Sequence, residues 1–202
     1  MTTRDIDRLM DNARVHLPGA TEDNIKLELF NVLDDFFQNS NIWQERIVFC
    51  VRPNDCDYSI APSDVSTINR LLLITNSSGQ PVRGSMAEPG EIILDYPPSQ
   101  EDKYTALVAL TINEPVTQEG FPKFPSWIIN KYGVDLVDGV VGRMMAQPAK
   151  PYSSERLAIF HSRKFRGAVA QAKFEAQHLN VYRGQAWWFP QSFNTRSSRR
   201  SR

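Results

Sequence analysis

Apolar residues near the start of the chain recur at steps of three and four: Ile6, Leu9, Met10, Ala13 and Leu17. That period puts them on one face of a helix, so the spacing predicts an amphipathic helix over Arg4–Leu17. Pro18-Gly19 ends it. Thr21 then stands as an N-cap candidate, with Glu22 and Asp23 in the first turn, where acids complement the helix dipole. Ile25, Leu29, Val32, Leu33, Phe36 and Phe37 continue the helical period and predict a second helix that stops near Gln38–Asn41.

The pattern then changes to short β-type runs. These are Arg46–Val51 (RIVFCV), Asp57–Ile60 (DYSI), Ile68–Thr75 (INRLLLIT), Glu91–Tyr96 (EIILDY) and Tyr104–Ile112 (YTALVALTI). Turn residues separate them: Pro53-Asn54-Asp55, Ala61-Pro62-Ser63-Asp64, Asn76-Ser77-Ser78-Gly79 and Pro97-Pro98-Ser99. Five short strands with tight connections predict a small antiparallel sheet or sandwich. Residues 76–90, rich in Ser, Gly and Pro, read as a loop across a hairpin.

Helical spacing returns at Pro125, a residue suited to a first turn. From Trp127 to Met145 the apolar face is Ile129, Tyr132, Leu136, Val140 and Met144. Gly133 is expected to kink or break this helix. Gly139 and Gly142 are expected to let another helix approach closely. Gln147–Ser154 is a two-proline turn, and Ser153 or Ser154 caps a last long helix to about Leu179. Its stripe is Leu157, His161, Phe165, Ala168, Ala172, Ala176 and Leu179. Helices divided by a strand block pack most easily as one bundle with the strands inserted. The expected fold is therefore α+β: a bundle of about four helices (1–43 and 122–183), an inserted antiparallel β subdomain (44–121) and an extended C-terminal tail (184–202).

Composition adds little until it is divided along the chain. The 202 residues are 41% apolar and formally neutral, an ordinary globular balance. Residues 1–150, however, hold 13 Lys/Arg against 21 Asp/Glu, and residues 151–202 hold 10 against 2. Such asymmetry points the basic end at an acidic partner, protein or nucleic acid. Apolar runs are short, so no membrane span is expected. The polar start MTTRDIDRLM argues against a secretory signal. Cys50 and Cys56 match no zinc or redox spacing and read as reduced thiols.

Catalytic patterns are sparse. No phosphate loop, zinc helix pair or serine elbow occurs, and Gly139–Met144 lacks both the leading strand and the third glycine of a dinucleotide fingerprint. His161 falls on an apolar stripe and reads as a packed, hydrogen-bonded histidine, and His178 as a helix-end residue. Asp34-Asp35 are helical neighbours that do not face each other, Glu101-Asp102 falls in an expected loop, and both pairs read as solvated surface. No cofactor, no metal and no enzyme activity are expected. A small enzyme on a mixed fold is kept as an alternative.

The tail carries the strongest signal. GQAWWFPQSFNTRSSRRSR places Trp187, Trp188, Phe189 and Phe193 ahead of Arg196, Arg199, Arg200 and Arg202, with no acid. A disordered end would be poorer in aromatics. A nucleic-acid tail would put Arg on phosphates and stack bases on aromatics. A protein-docking tail would bury the aromatics as anchors and pair Arg with acids. The aromatics precede the arginines rather than alternate with them, which favours docking; DNA binding remains the alternative.

In this order of features the chain resembles the head-to-tail adaptor (connector) proteins of tailed bacteriophages, including the tail-tubular-A-like gatekeepers of short-tailed phages. The resemblance spans roughly residues 17–202. It rests on LPGATEDNIKLELFNVLDDFF, a β insertion, FPSWIINKYGVDLVDGVVGRMMAQPAKPYSS, a long helix, WWFPQSF and an arginine-rich end. It implies a virion structural protein in the neck or tail, assembled in the host bacterial cytoplasm as a homo-oligomeric ring, commonly dodecameric. It also implies that the ring binds the portal protein on one side and a downstream tail or nozzle protein through the β part, with double-stranded DNA in the lumen. Trp187, Trp188, Phe189, Phe193, Arg196, Arg199, Arg200 and Arg202 become the portal-docking residues. An acidic inner wall would repel passing DNA.

Overall fold

The computed structural model describes residues 3–63, 66–112 and 124–179. The order of elements is α1 (Thr3–His16), α2 (Glu22–Ser40), β1 (Gln44–Val51), β2 (Asp57–Ser59), β3 (Ser66–Thr75), β4 (Pro81–Val82), β5 (Gly84–Glu88), β6 (Glu91–Leu94), β7 (Asp102–Ile112), α3 (Ser126–Met145) and α4 (Glu155–Leu179). The fold is α+β, with the strands inserted between α2 and α3. The tail lies outside the described residues. No described helix is long and apolar enough to cross a membrane.

The two N-terminal helices bury the faces that their spacing predicts. Ile6, Leu9, Met10, Ala13 and Leu17 are in the core, as are all six apolar residues expected of α2. Thr21 takes the extended N-cap conformation (φ −76°, ψ 150°) without a side-chain cap bond. Asn41 ends α2 in the left-handed conformation (φ 53°), its N–H donating to the Phe37 carbonyl.

Helix α3 is central. It buries Ile128, Val137, Val141 and Met145 as well as the predicted stripe, as expected of a helix covered on nearly every side. Gly133 does not break it. A Cβ there would stand 3.3 Å from Leu9 Cδ2 of α1, so packing outweighs the ~1 kcal/mol that a mid-helix glycine costs. Pro125 occupies the N-cap position rather than the first turn.

Close approach at Gly139 and Gly142 is as expected. A Cβ on Gly139 would meet Val32 Cγ1 at 2.7 Å and Phe165 Cδ2 at 2.8 Å. On Gly142 it would meet Ser162 Oγ at 2.7 Å and Ser162 N at 2.9 Å. Gly133 and Gly142 are nine residues apart, about two and a half helical turns. At these two points α1 and α4 touch opposite sides of α3, and the two helices approach each other where the His16 and His161 rings stand 5.9 Å apart.

Helix α4 returns antiparallel to α3. Ser154 holds its N-cap position, its carbonyl accepting from the Ala158 N–H at 2.8 Å. Phe165, Ala168, Ala172 and Ala176 are buried as predicted. At the start of the helix the buried residue is Ala158, not Leu157, which is 45% exposed. Only a small side chain fits where α4 crosses Gly142.

The strands form two antiparallel sheets, β1-β7-β3-β4 and β2-β6-β5. Central β7 pairs with β1 (Gln44↔Ala109 to Val51↔Asp102) and with β3 (Ser66↔Ile112 to Thr75↔Thr105). Asn69 and Leu72 bulge out of the second ladder. Residues 76–90 are not one loop. Asn76–Gln80 turn at the hairpin tip, with Gly79 at φ 77°, and β4 and β5 follow. Both are short, so their β pattern is faint in sequence. Phe37, Trp43 and Phe124 stack edge-on where the larger sheet meets the bundle, with centroids 5.3 Å apart for Phe37–Phe124 and 5.4 Å for Phe37–Trp43.

Candidate functional site

The residues singled out for docking, Trp187, Trp188, Phe189, Phe193, Arg196, Arg199, Arg200 and Arg202, all lie outside the described residues. What is described is the platform they leave from. Lys131 and Tyr132, at the start of α3, both contact Glu175 near the end of α4. Helix α4 thus ends at the pole of the bundle that adjoins the larger sheet.

The seam between α3 and α4 holds a cluster of polar contacts. The Tyr132 hydroxyl donates to Glu175 Oε2 at 2.7 Å, and Lys131 pairs with the same oxygen. The hydrogen bonds from Lys131 and Tyr132 hold the Glu175 carboxyl down at about 2. Burial, then the bond to Glu175, pushes the Tyr132 hydroxyl up. About two turns further along α3, Asp138 is buried and meets His161 Nδ1 at 2.6 Å and Lys164 Nζ at 3.5 Å. Burial, and then the charge of Asp138, raises the Asp135 carboxyl. An unpaired buried carboxylate is costly, so this cluster works as a clamp that fixes α4 on α3.

His161 is thus the packed, bonded histidine that its position suggested. Asp138 and Glu175 were not singled out in the sequence. The signal for Asp138 was an acid inside an apolar helix, opposite a helix carrying His161 and Lys164.

The carboxylate pairs are not simply solvated. Asp34 accepts from Thr111 Oγ1 of β7 at 2.7 Å, and Asp35 pairs with Arg143 of α3 at 2.8 Å. Because helical neighbours point apart, these two acids tie α2 to two different elements. Asp102 lies in β7 rather than in a loop. It accepts from Ser77 Oγ at 2.9 Å, which with the Lys103 N–H lowers its pKa.

Cys50 and Cys56 are free thiols. No cluster of three or more His, Cys, Asp or Glu that could hold a metal ion occurs among the described residues. An open groove of about 280 Å³ runs between β3 and β5, beside Leu71–Ile74 and Gly84–Met86. Another, of about 720 Å³, lies at the α3–α4 turn and is edged by Glu155, Arg163 and Arg166. Neither is lined by Asp138 or His161.

Charge is unevenly divided along the sequence. From Arg156 to Phe174, α4 carries five Lys/Arg and no acid. Residues 1–40 carry eight acids against four Lys/Arg. No protein-family model matches the chain, and no curated protein is significantly similar to it.

Proposed function

We propose that the chain is a virion structural protein, a head-to-tail adaptor that forms a ring between the capsid portal and the tail and lines the DNA channel. The observation that carries this reading is the charge division: a body acidic by eight and a last quarter basic by eight, with the aromatic cluster Trp187–Phe193 in the basic part. A ring built from one chain needs two different, complementary faces on every subunit, and such a division supplies complementary charge. The β part is the proposed contact to the downstream tail or nozzle protein.

The end of the chain has the reach to find a partner at either pole of the bundle. Residues 180–202, if fully extended, span up to ~75 Å, about twice the ~37 Å length of α4. Trp187, Trp188, Phe189 and Phe193 would seat in a cleft of the portal, and Arg196, Arg199, Arg200 and Arg202 would pair with acids around it. The test is a chain cut after Gly184, assayed for binding to a purified portal ring. Loss of binding with an unchanged melting temperature is expected; full binding by the cut chain would refute the docking role of the tail.

The acid-free basic run on α4 gives the second reading, a DNA-binding module, its footing. That reading requires affinity for free duplex DNA falling steeply with salt. The adaptor reading requires co-purification with the portal and little such affinity.

A further inference from the structure

We infer that this chain holds its own C-terminal segment before a partner takes it. The aromatics of 187–193 seat in the groove between β3 and β5, and the arginines of 196–202 lie across the acidic outer face of the small sheet. The contact itself needs only this chain; its role as a hold that the portal must displace rests on the adaptor reading above.

The first observation is the fork where the two sheets part. Strand β4 pairs with β3 at Ile74↔Val82 and Thr75↔Pro81, whereas β5, which follows at once, pairs with β6. Between β3 and β5 opens the groove of about 280 Å³, with Leu71, Leu72, Leu73 and Met86 in its wall. The bulges at Asn69 and Leu72 break the in-out alternation of β3, so three leucines in succession are half-buried and none is fully covered. The groove is smaller than the ~300–1,000 Å³ of a small-molecule pocket, but an apolar slot beside a strand suits side-chain anchors of an extended peptide. Arg70 also lines it, exposed, and can stack on an indole face.

The second observation is the sheet face beside the groove. Asp57 and Ser85 both lie opposite Ile93, and Ser59 and Glu88 both lie opposite Glu91, so these six share one side of the small sheet. All six are exposed, and no Lys or Arg is among them. Glu88 and Glu91 stand directly opposite as like charges, which weakens a ladder; a cation laid over them removes that penalty. No ion pair among the described residues involves Asp57, Glu88 or Glu91. Arg83 continues the face beyond β5, where Asp95 is its cross-strand neighbour and offsets its charge.

Charge, order and reach select the occupant. The segment 184–202 carries four arginines and four large aromatics without an acid, the complement of an apolar slot beside three carboxylates. Asn69, at the groove, donates to the Gln38 carbonyl at the end of α2 (3.2 Å), and Phe37 stacks on Phe124 just before α3. Through Glu175, α4 ends at that same pole. Groove and acidic face therefore follow one another going away from the end of α4, as the aromatics precede the arginines. Trp187 is eight residues past Leu179, a reach of up to ~28 Å, and Arg196 is seventeen past it, up to ~60 Å. Packed sheets are ~10 Å apart, so neither is stretched. When the portal takes the segment, the three acids are uncovered.

The experiment uses the full chain carrying Cys50→Ser and Cys56→Ser, with Ser197→Cys in the segment and Ser85→Cys on the small sheet. A short thiol cross-linker is applied at about 1 µM protein, where a tethered pair outcompetes pairing between copies. The expected product is the internally linked monomer, in excess over that of a control with Val48→Cys in place of Ser85→Cys. Val48 is 62% exposed on the larger sheet. Glu88→Lys with Glu91→Lys should cut the yield about tenfold, the scale of two exposed ion pairs, and adding Arg199→Glu with Arg200→Glu should restore it. Trp187→Ala with Trp188→Ala should cut it as well, as loss of anchors does. Equal linking in the Val48→Cys control, a dominant linked dimer, or a yield indifferent to the charge reversal would each overturn the inference. Portal binding separates it from the adaptor reading. The chain with Glu88→Lys and Glu91→Lys should bind the portal about tenfold more tightly, because more of it is free to bind. Selective linking in a chain that still binds the portal when cut after Gly184 would leave the inference standing and sink the docking role. No linking in a chain that needs the segment for the portal would do the reverse.

Discussion

Gly142→Ala and Gly167→Ala are the same chemical change in two packed helices, and the structure predicts opposite signs. In each case alanine removes the propensity penalty of glycine, a gain of about 1 kcal/mol. At Gly167 the new methyl has nothing within 4 Å, so that gain should appear nearly whole. At Gly142 the methyl would stand 2.7 Å from Ser162 Oγ, 2.9 Å from Ser162 N and 3.4 Å from the Ala158 carbonyl oxygen. The hydroxyl can rotate away. The backbone N can retreat only if α4 moves off α3, and that movement loosens Asp138–His161 on the same seam. Overpacking of this kind costs about 1–3 kcal/mol; at the upper part of that range the net effect is a loss of about 1–2 kcal/mol. Urea and thermal denaturation measure it, with ~2–4 °C of melting temperature per kcal/mol for a chain of this size. Adding Ser162→Ala should recover part of the loss, because it removes one of the two hard contacts and leaves the other. A Gly142→Ala protein as stable as Gly167→Ala would refute the claim that close approach of α4 selects glycine there.

Other expected outcomes follow from the same contacts. Thr111→Val takes a hydrogen bond from half-buried Asp34 and should cost about 1–2 kcal/mol, read from the urea midpoint. Asp138→Ala and His161→Ala, combined in a double-mutant cycle, should show a coupling of about 0.5–3 kcal/mol; strict additivity would mean that the 2.6 Å contact does not stabilise the fold. Glu175 has its pKa held at about 2, below the ordinary 4.5. A depressed carboxyl contributes stability that is present above the unfolded value and lost as pH falls through the folded one. The stability difference between the wild type and Glu175→Gln should therefore be constant above about pH 5 and shrink towards about pH 2; a difference that is flat across this range would count against the assignment.

The helices were legible because each buries one stripe, and the stripe is written in the sequence: Ile6 to Leu17, Ile25 to Phe37, Phe165 to Ala176. Errors came where packing overrode local preference. Leu157 is the more apolar residue, yet Ala158 is buried, because the crossing at Gly142 leaves room only for a small side chain. Gly133 looks like a breaker until Leu9 is placed against it. The strands β4 and β5 are short pieces in a run of Ser, Gly and Pro, and their pairing partners, not their own residues, make them strands. Asp34 and Asp35 were read as neighbours that do not face each other, and that is so. What each does face, Thr111 and Arg143, lies far along the chain and is fixed only by the tertiary fold. The seam acids Asp138 and Glu175 were obscure for the same reason.

The contacts also narrow where an acidic inner wall could be built. Several acids of the body are engaged within the subunit: Asp34 with Thr111, Asp35 with Arg143, Asp102 with Ser77, and Asp138 and Glu175 along the α3–α4 seam. Asp11 and Glu22, where α1 meets α2, are likewise engaged, both with Arg14. Among the described residues, Asp57, Glu88, Glu91 and Asp95, in or next to the small sheet, are exposed. Repulsion between exposed charges fades beyond about 8 Å at physiological salt, so acids that are to repel DNA must stand close to its path. On the adaptor reading, the exposed acids of the strand insertion would be the ones placed to line an acidic channel. On the adaptor reading, charge substitutions in the small sheet should alter passage of DNA or docking of the downstream tail protein without altering ring formation. DNA release from assembled particles, set against ring formation by the same variants, separates the two, and a single class of substitution that impaired both equally would show that one surface serves both roles.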